Sequence, residues 1–430
     1  MNNPFYEAHT LKNRIHYSLV AMLVLAYPTF ALLVKGTNSL IFFALVLLGI
    51  IAYFTPKTRA ISREEKLVAS VFFLFFAVSV LSWLLNGMHD HGFKELGRHI
   101  RLALVIFVIY LLVRSPIDQK WFWIAITIGA ISTGLYSIWH LMSYGIESRV
   151  GGATNPIIFG DETLILAFIS LAAAGYFAKK SKWLLFIPLI AFLLGLTASF
   201  LSQTRGAWIA IPALVLILAV YVFQKTTVKQ KLAIGLTTAV MLGITVIGIG
   251  MQSNASQRIE EAILEAKNYL AGERGTSVGT RLEQWVGAWD IFKANPILGA
   301  GTGSFQEEAR IRVELGQLHP SVAEHTQPHN EYLLMLSSRG LIGFLALLAL
   351  FLVPARIYFQ AIKSDNKDIS RLGLAGLIVI VGYMHFGLTE TILNRTLSIN
   401  FFVFLNALIV FLIIQIRIQQ EQINQAEKIK

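Results

Sequence analysis

Three residues far apart along the chain carry side chains that could handle a proton and an anion: His329, Arg281 and Arg205. His329 stands in "HTQPHNEYLLMLSSRGLIG" (residues 325–343), where a polar stretch turns apolar directly after a proline. Proline favours the first turn of a helix, so the spacing predicts His329 inside that turn. There the positive end of the helix dipole disfavours imidazolium and leaves a ring able to accept a proton. On an ideal helix Gly340 and Gly343 fall on the same stripe, and bare backbone there would let a neighbouring helix pack closely below. The chemistry is general-base catalysis. The bland alternative is a histidine at a helix end touching lipid headgroups.

The arginines suggest the anion. Arg205 lies in "SFLSQTRGAWIAIP", where two apolar runs meet with almost no loop between them. An ionisable group held at membrane level is costly and reads as functional, although a helix-end arginine can also simply snorkel. Arg281 opens a tryptophan-bearing segment, "VGTRLEQW", and alone would be an ordinary surface arginine. Guanidinium forks bind phosphate oxygens bidentately and stay charged at any pH. Two of them at one membrane-level site suit a diphosphate anchored in a bilayer.

The elements that must position these residues are membrane helices. Of the 430 residues 55% are hydrophobic and only 14% charged, with a mean hydropathy of +0.62; soluble proteins sit near a quarter charged. Apolar runs long enough to cross a bilayer recur at roughly 15–34, 38–54, 67–85, 98–113, 121–143, 157–178, 183–202, 206–223, 232–250, 331–355, 372–390 and 397–416. The expected fold is therefore an all-α integral membrane protein of about 12 transmembrane helices with a large helical loop between the ninth and tenth. The divisions are residues 1–250 (nine spans), 251–330 (the loop), 331–416 (three spans) and 417–430 (a polar tail).

With the N-terminus inside, 21 of the 36 Lys and Arg fall on the cytoplasmic side and seven in the short outer loops, which fixes orientation. The net charge of +11 is thus topology, with no nucleic-acid partner. The first span lacks a cleavage site and is expected to be retained. Within the outer loop, residues 258–270 and 281–296 read as amphipathic helices. The second places Leu282, Trp285, Val286, Trp289 and Phe292 on one face, suited either to a membrane interface or to packing within the loop.

Other chemistries find little support. There is no cysteine and no D-x-D among the six aspartates, and no H-E-x-x-H zinc spacing or G-x-S-x-G elbow appears. His89 and His91 around Asp90 could hold a metal but read better as a polar loop tip. The glycine-rich "PILGAGTGSF" (residues 296–305) follows no strand and lacks the GK[ST] of a phosphate cradle, so a tight turn is expected. Asp161 and Glu162, in or near an apolar run, could relay protons in a transporter or flippase. A transporter has no need of an 80-residue outer loop carrying arginines and a poised histidine.

At these residues the chain resembles a known family. "HNEYLLMLSSRGLIG" is similar to the signature of the O-antigen ligase and polymerase superfamily: His329, Asn330, nine residues, Gly340 and Gly343. "GTRLEQWVGAWDIFKANPILGAGTGSF" (residues 279–305) resembles that family's arginine-led loop block, and "SQTRGAW" its arginine at an outer helix end. The resemblance implies a GT-C-type glycosyltransferase of the Gram-negative inner membrane, working without a metal or cofactor on its periplasmic face. Its donor would be a glycan on undecaprenyl diphosphate and its acceptor lipid A–core oligosaccharide, both met among membrane lipids. Carried over, His329 is the base and Arg205 and Arg281 bind the diphosphate. Asn330 and His325 are expected to contact substrate. Arg339 is an accessory candidate, unless it forms a structural ion pair with Glu390. An O-antigen polymerase or a protein oligosaccharyltransferase are the alternatives within the superfamily; the compact C-terminus favours the ligase.

Overall fold

The computed structural model describes residues 11–55, 59–225 and 274–429, with 264–265, 267–269 and 271. The described residues form helices and no strand, as hydrocarbon demands of a chain that cannot leave backbone groups unpaired. In order they are α1 (Leu11–Leu33), α2 (Thr37–Tyr53), α3 (Arg63–Leu85), α4 (Asp90–Ala103), α5 (Val105–Arg114), α6 (Gln119–Tyr144), α7 (Pro156–Lys180), α8 (Phe186–Leu201), α9 (Arg205–Trp208), α10 (Ile211–Lys225), α11 (Ser277–Ala294), α12 (Phe305–Glu314), α13 (Glu331–Ile362), α14 (Lys367–Phe386) and α15 (Thr396–Ile429).

Ten stretches among the described residues are long and apolar enough to span a membrane, and α2 is a shorter apolar helix of 17 residues. The run expected at 232–250 lies outside the described residues, as does most of the helix expected at 258–270. The span expected at 98–113 begins earlier, at Asp90, and is interrupted only at Leu104, between α4 and α5. The polar stretch expected as a tail after 416 continues α15 without a break.

Local rules set the helix ends. Ser62 and Glu65 form a reciprocal capping box on α3, and Arg59 grips the same buried Glu65 at 2.7 and 2.5 Å, so one carboxylate serves both the helix end and a cation. Asn155 caps α7 through Ile158 N–H, with Pro156 at the first helical position. Helices α7 and α15 form the centre of the bundle: residues 158–170 of α7 are buried on every face, Asp161 and Glu162 included. Glu162 accepts a hydrogen bond of 2.7 Å from the Tyr383 hydroxyl on α14.

One helix departs from the expected geometry. α13 breaks at Gly340 (φ +63°, ψ −159°), a left-handed backbone that only glycine adopts cheaply. The return turn after α11 fills the break: Ala300 N–H donates to Ser337 O and Gly301 N–H to Ser338 O, both at 2.9 Å. In the other direction Leu341 N–H donates to Pro296 O at 2.8 Å. A Cβ on Gly340 would sit 2.3 Å from Ile297 O, and one on Gly299 2.3 Å from Arg339 N. The glycine-rich stretch is therefore a turn, and its glycines exist to bring two backbones into contact. The expected stripe of Gly340 and Gly343 beneath His329 is overturned, because the break at Gly340 ends the helical count. Gly340 meets the turn at 297–299, and Gly343 packs under the Arg339 side chain.

Arg339 is 1% exposed and paired with Glu95 of α4 at 2.6 Å, not with Glu390. It also donates to Ser79 Oγ (3.0 Å) and Ser338 Oγ (2.8 Å). With its fork filled from α3, α4 and α13, it clamps the broken helix to the bundle, a buried pair whose breakage costs about 3–5 kcal/mol. This corrects the expectation of an accessory substrate ligand.

Candidate active site

His329 lies just outside α13. Asn330 is the N-cap, its side chain accepting from Leu333 N–H at 3.0 Å, and the helix begins at Glu331. Asparagine outranks the proline signal because its side chain satisfies an otherwise orphaned helix donor. His329 therefore sits one residue before the cap, not in the first turn, and adopts φ +48°. A left-handed conformation costs an L-residue roughly 1–2 kcal/mol. It persists here because both flanks are fixed. Trp285 of α11 donates to Pro328 O at 3.1 Å, while Asn330 Nδ2 donates to Leu388 O at 3.1 Å. Asn330, expected to contact substrate, is buried and spends its side chain on these two bonds.

The surrounding loop is stitched to the segment between α14 and α15. Glu331 N–H donates to Gly387 O (2.8 Å), Leu393 N–H to the Glu331 carboxyl (3.0 Å), and Asn394 Nδ2 to Gln327 Oε1 (3.1 Å). The stitching brings Glu390 to His329, with Nδ1 and Oε2 3.4 Å apart. The other oxygen, Oε1, accepts from Arg395 Nη2 (2.9 Å), Thr391 N–H (2.9 Å) and the Thr391 hydroxyl (3.1 Å). Burial alone pushes this carboxyl up, but the His329 hydrogen bond and the Arg395 charge outweigh it and bring it down to about 2. A carboxylate only accepts, so the ring turns an N–H at Nδ1 toward it, and in the neutral ring that tautomer leaves the lone pair on Nε2. The side chain of His329 is 22% exposed, enough to be reached.

His325 stacks edge-on to His329, ring centroids 5.8 Å apart. Burial, then the neighbouring His329, with Arg281 adding to them, holds it below the usual histidine range against the pull of Glu324. Arg281, exposed in the early part of α11, is thus in electrostatic reach of His325. Arg205 opens α9, exposed, with no ion pair among the described residues. Its neighbour Gly206 packs on Thr389, one residue before Glu390: a Cβ there would come within 2.2 Å of the threonine hydroxyl.

α11 is rotated from the expected face. Glu283, Gln284, Ala288 and Ile291 are buried, while Val286 and Trp289 are 42% and 47% exposed. The reason is Glu283, which accepts from Tyr269 (2.7 Å) and His319 N–H (2.9 Å) and draws that face into the loop's own small core. At the loop tip His89 pairs with Glu307 at 2.8 Å and Asp90 starts α4.

Glu390 and Arg395 carry no role in the sequence reading beyond Glu390 as a partner for Arg339. Their signal is "TETILNR", a carboxylate and an arginine between the last two spans, at the same end of the bundle as His329. Comparison with known proteins bears on the same region. A family model described as O-antigen ligase matches residues 190–348, which include Arg205, Arg281 and His329. An uncharacterized protein of Haemophilus influenzae is 27% identical over 410 residues, 94% of this chain and 99% of that protein. A protein of Escherichia coli named O-antigen ligase is 24% identical over 279 residues, 64% of this chain and 60% of its own length. A multi-pass helical bundle, the three residue blocks in order and this match agree: residues 190–348 match the O-antigen ligase family.

Proposed function

We propose that this protein transfers an O-antigen glycan from undecaprenyl diphosphate to lipid A–core oligosaccharide, completing lipopolysaccharide at the periplasmic face of the inner membrane. The observation that carries the reading is the buried Glu390 carboxylate 3.4 Å from His329, itself held by Arg395. The Lys/Arg bias puts both termini in the cytoplasm, and with them the segment 251–330 and His329 on the opposite side.

In this mechanism His329 Nε2 takes the proton from an acceptor sugar hydroxyl. The hydroxyl oxygen attacks the anomeric carbon, and the bond to the diphosphate breaks with its electron pair leaving on undecaprenyl diphosphate. Glu390 stabilises the imidazolium and holds the tautomer, and Arg205 and Arg281 meet the charge that grows on the departing diphosphate. Base catalysis of this kind is worth about 10²–10⁴-fold, and the electrostatic contribution is usually the larger. The arginines supply the charge that a D-x-D metal clamp supplies elsewhere.

The test is reconstitution with undecaprenyl-diphosphate glycan and lipid A–core, without a proton gradient and with or without EDTA. Joined product is expected in both, and His329→Ala and Arg281→Ala should each abolish it while the protein still inserts. Product from His329→Ala at near-normal rate defeats the assignment. Glycan chain growth without lipid A–core would identify a polymerase instead.

A further inference from the structure

We propose that Arg98, Arg101 and Arg395 form a second anion site, which takes a phosphate on the membrane-embedded acceptor lipid. The inference rests on the transferase reading above and names where its acceptor is held. Arg98 and Arg101 project from α4, and Arg98 Nε–H donates to Asn394 Oδ1 at 2.6 Å, next to Arg395. The charge of Arg98 is in reach of both other guanidiniums.

Nearby carboxylates are already taken. Glu95 is 2.6 Å from Arg339, and Glu390 is shared between Arg395 at 2.9 Å and His329. Neither Arg98 nor Arg101 has an ion pair among the described residues. Arg101 lies over the Phe43 ring at 5.3 Å and donates to Gly97 O of its own helix. The Nε atoms of Arg101 and Arg395 are buried without a hydrogen-bond partner among the described residues. Three guanidiniums with only the pull of Glu95, already paired to Arg339, and a share of Glu390 between them repel one another at membrane depth unless an anion joins them. Planar forks select phosphate.

The surroundings indicate a lipid. α4 turns Phe93 (70% exposed) and Ile100 (40% exposed) outward beside the cluster, so an anion there can carry acyl chains along the same surface. Position separates this site from the donor's. Gly206, beside Arg205, packs on Thr389, whereas Arg98 binds Asn394. The two arginines are thus tied to different residues of the short segment whose Glu390 meets His329.

The experiment places wild type and the Arg98→Gln/Arg101→Gln double variant in neutral-lipid nanodiscs. It measures binding of lipid A, phosphatase-treated lipid A, undecaprenyl diphosphate and phosphatidylglycerol, with acceptor KM in parallel. The double variant should bind lipid A at least about tenfold more weakly, with acceptor KM rising alike. Binding of dephosphorylated lipid A and of undecaprenyl diphosphate should stay as in wild type, which also certifies folding. Should that variant fail to fold, Arg98→Lys/Arg101→Lys carries the same comparison, with about a threefold loss expected. Unchanged lipid A binding, an equal loss of undecaprenyl diphosphate, or displacement of lipid A by equimolar phosphatidylglycerol would each overturn the proposal. Phosphate-dependent binding lost in the variant, in a wild type that transfers no glycan, would sink the transferase reading and leave this site standing.

Discussion

Replacing Glu390 with glutamine keeps the shape of the side chain and removes its charge. The carboxyl is 2% exposed, and the fold brings its pKa from 4.5 to about 2, equivalent to about 3 kcal/mol of stabilisation when ionised. Because the folded value is the lower one, that stabilisation is complete above about pH 4.5 and is lost as pH falls toward 2. Glu390→Gln should thus cost up to about 3 kcal/mol at neutral pH and progressively less in acid. Its effect on transfer should be larger. The amide can turn an N–H toward His329 Nδ1, which favours the tautomer with hydrogen on Nε2 and removes the base. In the serine-protease triad the matching change costs about 10⁴ in kcat. The contact here is 3.4 Å, so a smaller loss of about 10²–10³ is expected. Both KM values should stay within about threefold, since Glu390 touches no substrate. Steady-state transfer in nanodiscs, with melting followed on the same preparation, measures both effects. A kcat within about threefold of wild type in folded Glu390→Gln protein would refute the orienting role.

Two further substitutions test the supports. Gly340→Ala puts a methyl 2.3 Å from Ile297 O in a left-handed backbone. It should destabilise by about 2–4 kcal/mol, seen as a lower melting temperature in detergent; an unchanged melting point would contradict the wedge geometry. Trp285→Phe keeps an aromatic ring but loses the indole N–H and with it the 3.1 Å bond to Pro328 O. It should cost about 1 kcal/mol and lower kcat several-fold with little change in KM, as measured in the transfer assay.

The membrane helices were legible because crossing a bilayer imposes length and apolarity on contiguous residues. His329 was legible as a candidate base, a histidine where a polar stretch turns apolar, but its placement was not. Pro328 signals a helix start, and only the bond from Leu333 N–H to Asn330 shows where that start lies. Helical counting runs through Gly340 unbroken, since the turn that fills its break is some 40 residues earlier in the chain. Arg339 finds Glu95 across 244 residues, a pairing no local pattern encodes. On α11 the tryptophans suggested the buried face, and the needs of Glu283 turned it elsewhere.

The interlock between the turn at 296–301 and the broken α13 also decides what can be cut from this molecule. Ala300 and Gly301 spend their amide hydrogens on Ser337 and Ser338, and Pro296 takes one from Leu341. A soluble fragment ending before Glu331 would strand those groups, and the remaining bundle would expose the matching carbonyls to acyl chains. Antibodies or inhibitors aimed at the segment ahead of His329 must therefore be raised against the intact protein in its lipid.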